Sequence, residues 1–151
     1  NGLHPIAFLI KIRIHIYHHF LTSAMNILII DDDPDDTMIF CEAAKAVDPG
    51  INCLVRHKCE DIAHTLRNMS MPLQYIFLDA YMNPIDGKEC LKEIKKVING
   101  DKTIIIVYSG YLSDRQVKEF KNLGANDTMI KASNMETLKS YLAKTFNGLN
   151  D

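Results

Sequence analysis

The chain carries almost no excess of either charge. Its 151 residues include 17 Lys and Arg against 19 Asp and Glu, for a formal net charge of −2, and the basic residues are scattered rather than clustered. That balance gives no sign of the basic surface by which nucleic acid is usually bound. The four cysteines, Cys41, Cys53, Cys59 and Cys90, include no C-x-x-C pair. They are also too sparse for a disulfide-dense scaffold. They read as reduced core or near-surface thiols, and the chain as cytoplasmic. No segment has the uninterrupted apolar length of a membrane span or the apolar core of a signal peptide. Internal repeats, low-complexity tracts and linkers are missing too. The length fits one domain with a sizeable core.

Residues 1–24 stand apart. "LIKIRIHIYHHF" alternates Ile with Lys, Arg and His, which is strand periodicity. We read 1–24 as a leader or upstream extension, with an added edge strand or dimerisation arm as the sharper alternative. Residues 25–151 form the domain.

From Met25 onward, strand and helix patterns alternate five times. "NILIID", "INCLVRH", "QYIFLD", "TIIIVYSG" and "DTMIK" are the strands. Between and after them lie helical patterns. Pro34, Asp35 and Asp36 suit the first turn of the first helix, where the dipole favours acids. The second places Ile62, Ala63, Leu66 and Met69 on one face, and the third turns Leu91, Ile94, Val97 and Ile98 inward. Ser113 with Gln116, and Ser133 with Glu136, form capping-box patterns ahead of the last two helices, and Gly124 supplies a stop. Strands that are apolar throughout, joined by helices, predict a parallel sheet covered on both faces.

What does not follow from folding is "ILIIDDDPDDT", four apolar residues running into five acids. Close carboxylates repel, and each raises the cost of ionising the next. A bound cation offsets that cost. Open parallel α/β sheets bind ligands outside the carboxyl ends of their strands. There the first strand places Asp31 and Asp32, the third Asp79, the fourth Ser109 and the fifth Lys131. Three acids, a hydroxyl and a lysine on one edge suit a hard cation such as Mg²⁺, with oxygen ligands, beside a phosphoryl group. Ser109 and Lys131 are the donors for phosphoryl oxygens. Asp33, Asp35 and Asp36 are explained by the helix dipole. His57 and His64 read as solvated, and His4, His15, His18 and His19 lack the framework of a zinc site.

These residues carry a resemblance. "IIDDD", "FLDAYMNPIDG", "VYSG" and "GANDTMIK" resemble the motifs of a response-regulator receiver domain of two-component signalling. The spacings from Asp79 to Gly87, Ser109 to Gly124 and Gly124 to Lys131 match the chemotaxis type. The resemblance implies a doubly wound (βα)₅, flavodoxin-like fold with strand order 2-1-3-4-5. It implies Asp79 as phosphoacceptor, and Mg²⁺ on Asp32, Asp79 and the backbone carbonyl of Tyr81, with Asp31 holding a metal-bound water. Ser109 would move toward the phosphoryl group, and Lys131 would pair with it. The implied partners are a histidine kinase or phosphotransfer protein, a downstream protein target, and a second copy of the chain on phosphorylation. Neither nucleic acid nor membrane is implied. Contacts would use helix one, or the face from helix four through strand five to helix five. The chemistry it implies is self-phosphorylation and self-dephosphorylation, not that of a turnover enzyme.

The chain departs from that family at four places. Ala132 replaces the proline whose bond after the lysine is usually cis. The proline of the loop after Asp79 is displaced by one, in Met82-Asn83-Pro84. Thr128 stands where an aromatic usually reports the active state. Tyr81 and Tyr111 flank the expected path of the attacking water, and two rings there would lengthen the phosphoryl lifetime. Two other functions compete. A degenerate receiver would bind partners without phosphorylation. A phosphatase of the haloacid dehalogenase type would use "DPDDT" at 33–37 as D-x-D-x-T and need Asp33, but that leaves Asp79 unexplained.

Overall fold

The computed structural model describes residues 24–98, 100 and 102–148; the leader, apart from Ala24, lies outside them. Five strands alternate with five helices: β1 (Asn26–Ile30), α1 (Pro34–Val47), β2 (Asn52–Arg56), α2 (Ile62–Arg67), β3 (Tyr75–Leu78), α3 (Gly87–Val97), β4 (Ile104–Ser109), α4 (Asp114–Asn122), β5 (Asp127–Ile130) and α5 (Met135–Asn147). All neighbouring strands are parallel, in the order β2-β1-β3-β4-β5. This is the doubly wound, flavodoxin-like arrangement that the resemblance implies.

Side-chain alternation divides the core into two. Leu28, Ile30, Ile76, Leu78, Ile105 and Val107 pack with Ile62, Leu66, Leu91, Ile94 and Phe120 under α2, α3 and α4. Their sequence neighbours Ile27, Ile29, Tyr75, Phe77, Ile106 and Tyr108 face the other way, onto α1 and α5 through Phe40, Ala43, Leu138, Leu142 and Phe146. A strand with helices on both faces must be apolar at every position; β1 and β3 are buried along their whole length.

Local chemistry sets the helix ends. Asp33 caps α1, its carboxylate accepting the N–H groups of Asp35 and Asp36, and Pro34 opens the helix. Ser113 and Gln116 form the reciprocal capping box of α4. Gly124 then takes φ +103°, which a Cβ would disfavour. The cap of α5 differs from expectation. Asn134, not Ser133, is the cap, with extended backbone and a side chain that accepts the Thr137 N–H at 2.9 Å. The second helix is also shorter than its pattern. It stops at Arg67, and Met69 packs against the core from beyond its end.

The cysteines correct a further expectation. Rather than free thiols they form two disulfides, Cys41–Cys53 and Cys59–Cys90, each with Cα atoms 5.7 Å apart. Topology brings together what the sequence spacing hid. The first pair ties α1 to the neighbouring β2, and the second ties the loop before α2 to the first turn of α3. None of the helices among the described residues is long and apolar enough to cross a membrane.

Candidate functional site

Every residue singled out at a strand end arrives on one edge of the sheet. Asp31 and Asp32 follow β1, Asp79 follows β3, Ser109 ends β4 and Lys131 follows β5. Ladder bonds carried past the strands hold them. The Asp31 N–H donates to the Arg56 carbonyl at 3.0 Å, the Asp79 N–H to Ile30 at 2.9 Å, and the Lys131 N–H to Ser109 at 2.9 Å. Gly87 lets α3 begin against this edge. A Cβ there would lie 2.4 Å from the Asp79 carbonyl oxygen and 2.8 Å from Ala80 Cα, so only glycine fits without moving backbone.

Carboxylate oxygens of Asp31, Asp32 and Asp79 lie within 4.8 Å of one another. Asp31 is fully buried, Asp79 nearly so, and Asp32 is exposed at the mouth. Lys131 Nζ donates to Asp31 Oδ2 at 2.7 Å and stands 3.6 Å from Asp79 Oδ2. It also lies over the Tyr108 ring, 5.7 Å from its centroid. Asp79 Oδ1 accepts the Tyr81 N–H at 3.3 Å, and Asp32 Oδ2 accepts the Asn83 N–H at 3.1 Å. Ser109 is fully buried beside them. Its Oγ is the one buried side-chain polar atom among the described residues without a hydrogen-bond partner.

The electrostatics follow from this crowding. Burial pushes the Asp79 carboxyl above the usual aspartate range. Lys131 opposes that shift, Asp31 adds to it, and the Tyr81 N–H and, from outside hydrogen-bond geometry, the nearby Ser109 hydroxyl oppose it. For Lys131, burial alone would lower the pKa. Hydrogen bonds to Asp31 and Asp36, with the charges of Asp31 and Asp79, outweigh it and hold the ammonium above the ordinary lysine range. Burial pushes the Tyr108 phenol up to about 12, against the pull of Lys131.

Three features were missed in the sequence. Asp36, assigned only to the helix dipole, accepts a hydrogen bond from Lys131 Nζ at 2.6 Å. His57, read as solvated, is exposed yet sets Nδ1 3.1 Å from the Asp31 carbonyl oxygen. Gln116 donates Nε2 to the Tyr81 hydroxyl at 2.5 Å. The first had a signal: a helix starting at Pro34 puts Asp36 in its first turn, next to the acid-bearing strand end. The Lys131–Ala132 bond is trans, as suits a non-proline residue, and the cis bond falls at Asn83–Pro84.

An unpartnered hydroxyl and a lysine converging on a buried carboxylate suit a tetrahedral oxyanion, and the acid trio beside them suits a divalent cation. Asp33 is otherwise engaged, its carboxylate capping α1.

Comparison with known proteins agrees. No curated protein sequence matches the chain. Among solved structures, a two-component response regulator from Clostridium difficile shares 25% identity over 84% of this chain and 99% of its own, with a TM-score of 0.64. The phosphorylated cyanobacterial phytochrome response regulator RcpA shares 19% over 82% and 91%, with a TM-score of 0.71. The CheX–CheY–BeF₃–Mg²⁺ complex from Borrelia burgdorferi shares 20% over 81% and 89%, with a TM-score of 0.67. Residues 27–143 match the family model of the response regulator receiver domain. The chain belongs to that family.

Proposed function

We propose that the chain takes a phosphoryl group onto Asp79 from the phosphohistidine of a histidine kinase or phosphotransfer protein, and signals through protein contacts. The observation that carries this reading is the buried Asp79 carboxylate, set between two acids, a lysine and a hydroxyl that has no other partner. An Asp79 carboxylate oxygen forms the new O–P bond while the P–N bond breaks, and the imidazole leaves with its electron pair. Lys131 holds positive charge beside the incoming oxygens. Ser109 turns its free hydroxyl toward them and draws the β4–α4 loop inward. Asp32, Asp79 and the Tyr81 backbone carbonyl are the residues that would hold Mg²⁺, with Asp31 reaching it through water. Mg²⁺ supplies charge neutralisation between the attacking carboxylate and the phosphoryl oxygens. RcpA was crystallised phosphorylated, and the Borrelia complex with BeF₃ and Mg²⁺, which supports the same chemistry here.

The chain is its own substrate in this reading rather than a turnover enzyme. Helix α1, and the face from α4 through β5 to α5, are the proposed contact surfaces for the donor and the target or second copy. Exposed Met38 and Ile39 on α1, and Ile130 and Tyr141 on the other face, suit them. A cytoplasmic setting belongs to the same proposal, and the two disulfides stand against it. Counting thiols in protein trapped at lysis decides the point.

Intact mass after incubation with acetyl phosphate and Mg²⁺ tests the reading. The parent should gain one phosphoryl group and Asp79→Asn none. An adduct that survives Asp79→Asn, or a parent that binds Mg²⁺ and gains nothing, would overturn it.

A further inference from the structure

Lys131 is held from two sides. Its ammonium has three N–H donors. Asp31 Oδ2 takes one at 2.7 Å and Asp36 Oδ2 another at 2.6 Å. Asp79 Oδ2, at 3.6 Å, lies beyond hydrogen-bond reach. The lysine therefore keeps one donor free on the side of the acceptor. The two carboxylates that hold it differ. Asp31 belongs to the acid trio that would face a cation; Asp36 lies outside that trio. Asp36 is also fixed from below, because its N–H is one of those accepted by the Asp33 cap.

We propose that Asp36 is a positioning residue for phosphoryl transfer, anchoring Lys131 so that its free N–H stays aimed at the phosphoryl group on Asp79. This rests on the receiver reading above. The Lys131 side chain is 19% exposed and that of Asp36 is 39% exposed. Asp36 thus forms the outer wall of the lysine's position. With Asp79 carrying the phosphoryl group and Asp31 turned to a cation, Asp36 would be the remaining carboxylate among these three to stop the long lysine side chain from swinging to solvent, a freedom that lysine has in abundance. The bland account, that Asp36 only complements the dipole of α1, has a control beside it. Asp35 carries the same charge in the same turn, and makes no ion pair with Lys131.

The test uses the full chain with acetyl phosphate and saturating Mg²⁺. Asp36→Asn should slow adduct formation and shorten the adduct's half-life by about three- to fivefold, the upper end for one partly exposed ion pair. Asp35→Asn should stay within about twofold of the parent. In a Lys131→Ala background, Asp36→Asn should have no further effect, because the interaction is already gone. Parent-like kinetics for Asp36→Asn, an equal effect of Asp35→Asn, or an undiminished effect without Lys131 would each overturn the proposal. Proton exchange of the Lys131 ammonium in the unphosphorylated protein reads the anchoring alone, and it should quicken in Asp36→Asn. If it quickens while the parent forms no adduct on Asp79, anchoring stands, and the receiver reading fails together with the proposed role in transfer.

Discussion

Tyr81 and Tyr111, two residues after Asp79 and Ser109, are large side chains left 52% and 67% exposed. Tyr81 is not loose there, since Gln116 donates to its hydroxyl. If the two rings flank the path of the attacking water, as the receiver resemblance implies, they would narrow its approach to a phosphoryl group on Asp79. Tyr81→Ala and Tyr111→Ala should each speed decay of the adduct severalfold, as intact mass followed over time will show; parent-like decay in both would remove the shield. Asp79 makes a second prediction. Its folded-state pKa is raised, chiefly by burial. Between the unfolded value near 3.8 and that raised value, the native state binds more protons than the unfolded state. Stability therefore falls as pH rises through that window and stays lower above it. Without Mg²⁺, Asp79→Asn should be more stable than the parent at pH near 7, with the gap closing toward acid, by urea unfolding at several pH values. A parent as stable as the variant at neutral pH would contradict this. At this scale, the sequence showed Asp31, Asp32, Asp79, Ser109 and Lys131 because parallel strands deliver their final residues to one edge. It hid the role of Asp36, because a dipole explanation was already sufficient and its partner lies 95 residues away.

The elements were legible where one physical rule governed them. The central strands announced themselves by near-continuous apolar runs, ILII in β1, YIFL in β3 and IIIV in β4, and the Ser113–Gln116 cap by its spacing. The last helix shows the limit: Ser133 and Asn134 are both good caps, and only backbone conformation chose Asn134. The cysteines show another. A disulfide depends on which elements become neighbours, so Cys41 and Cys53 look unrelated until α1 is laid beside β2. These links carry their own prediction. They close loops with sequence separations of 12 and 31 residues. In the chain-entropy account, loops of this size are worth about 3 kcal/mol and about 4 kcal/mol. Reduction by dithiothreitol, or Cys90→Ser, should lower the urea midpoint accordingly. The Cys59–Cys90 loss should also loosen the start of α3, behind Gly87 and the acceptor. An unchanged midpoint after complete reduction would show that the links add no stability.

Across the whole molecule, charge is nearly balanced, with a formal net charge of −2, yet it is not evenly spread. Asp31, Asp36 and Asp79 lie around the Lys131 ammonium at one edge of the sheet, and Asp32 stands beside Asp31 and Asp79. The fold concentrates this repulsion, and unfolding relieves it, so a cation that binds only the folded site should raise the stability of the whole domain. At a hundred times its dissociation constant, such a ligand adds about 2.7 kcal/mol. For a chain of this size that is roughly 5–10 °C in Tm. Asp32→Asn should remove most of the Mg²⁺ shift by taking away a ligand. Asp36→Asn should keep it, because Asp36 lies outside the trio that faces the cation. The control is NaCl at matched ionic strength, since screening alone relieves part of the repulsion. Thermal unfolding in the two salts separates the cases. A Tm rise specific to Mg²⁺ and dependent on Asp32 makes the acid cluster a cation site. An equal rise in NaCl would mean that the carboxylates are merely crowded, leaving "IIDDDPDD" without the ion that its sequence implies.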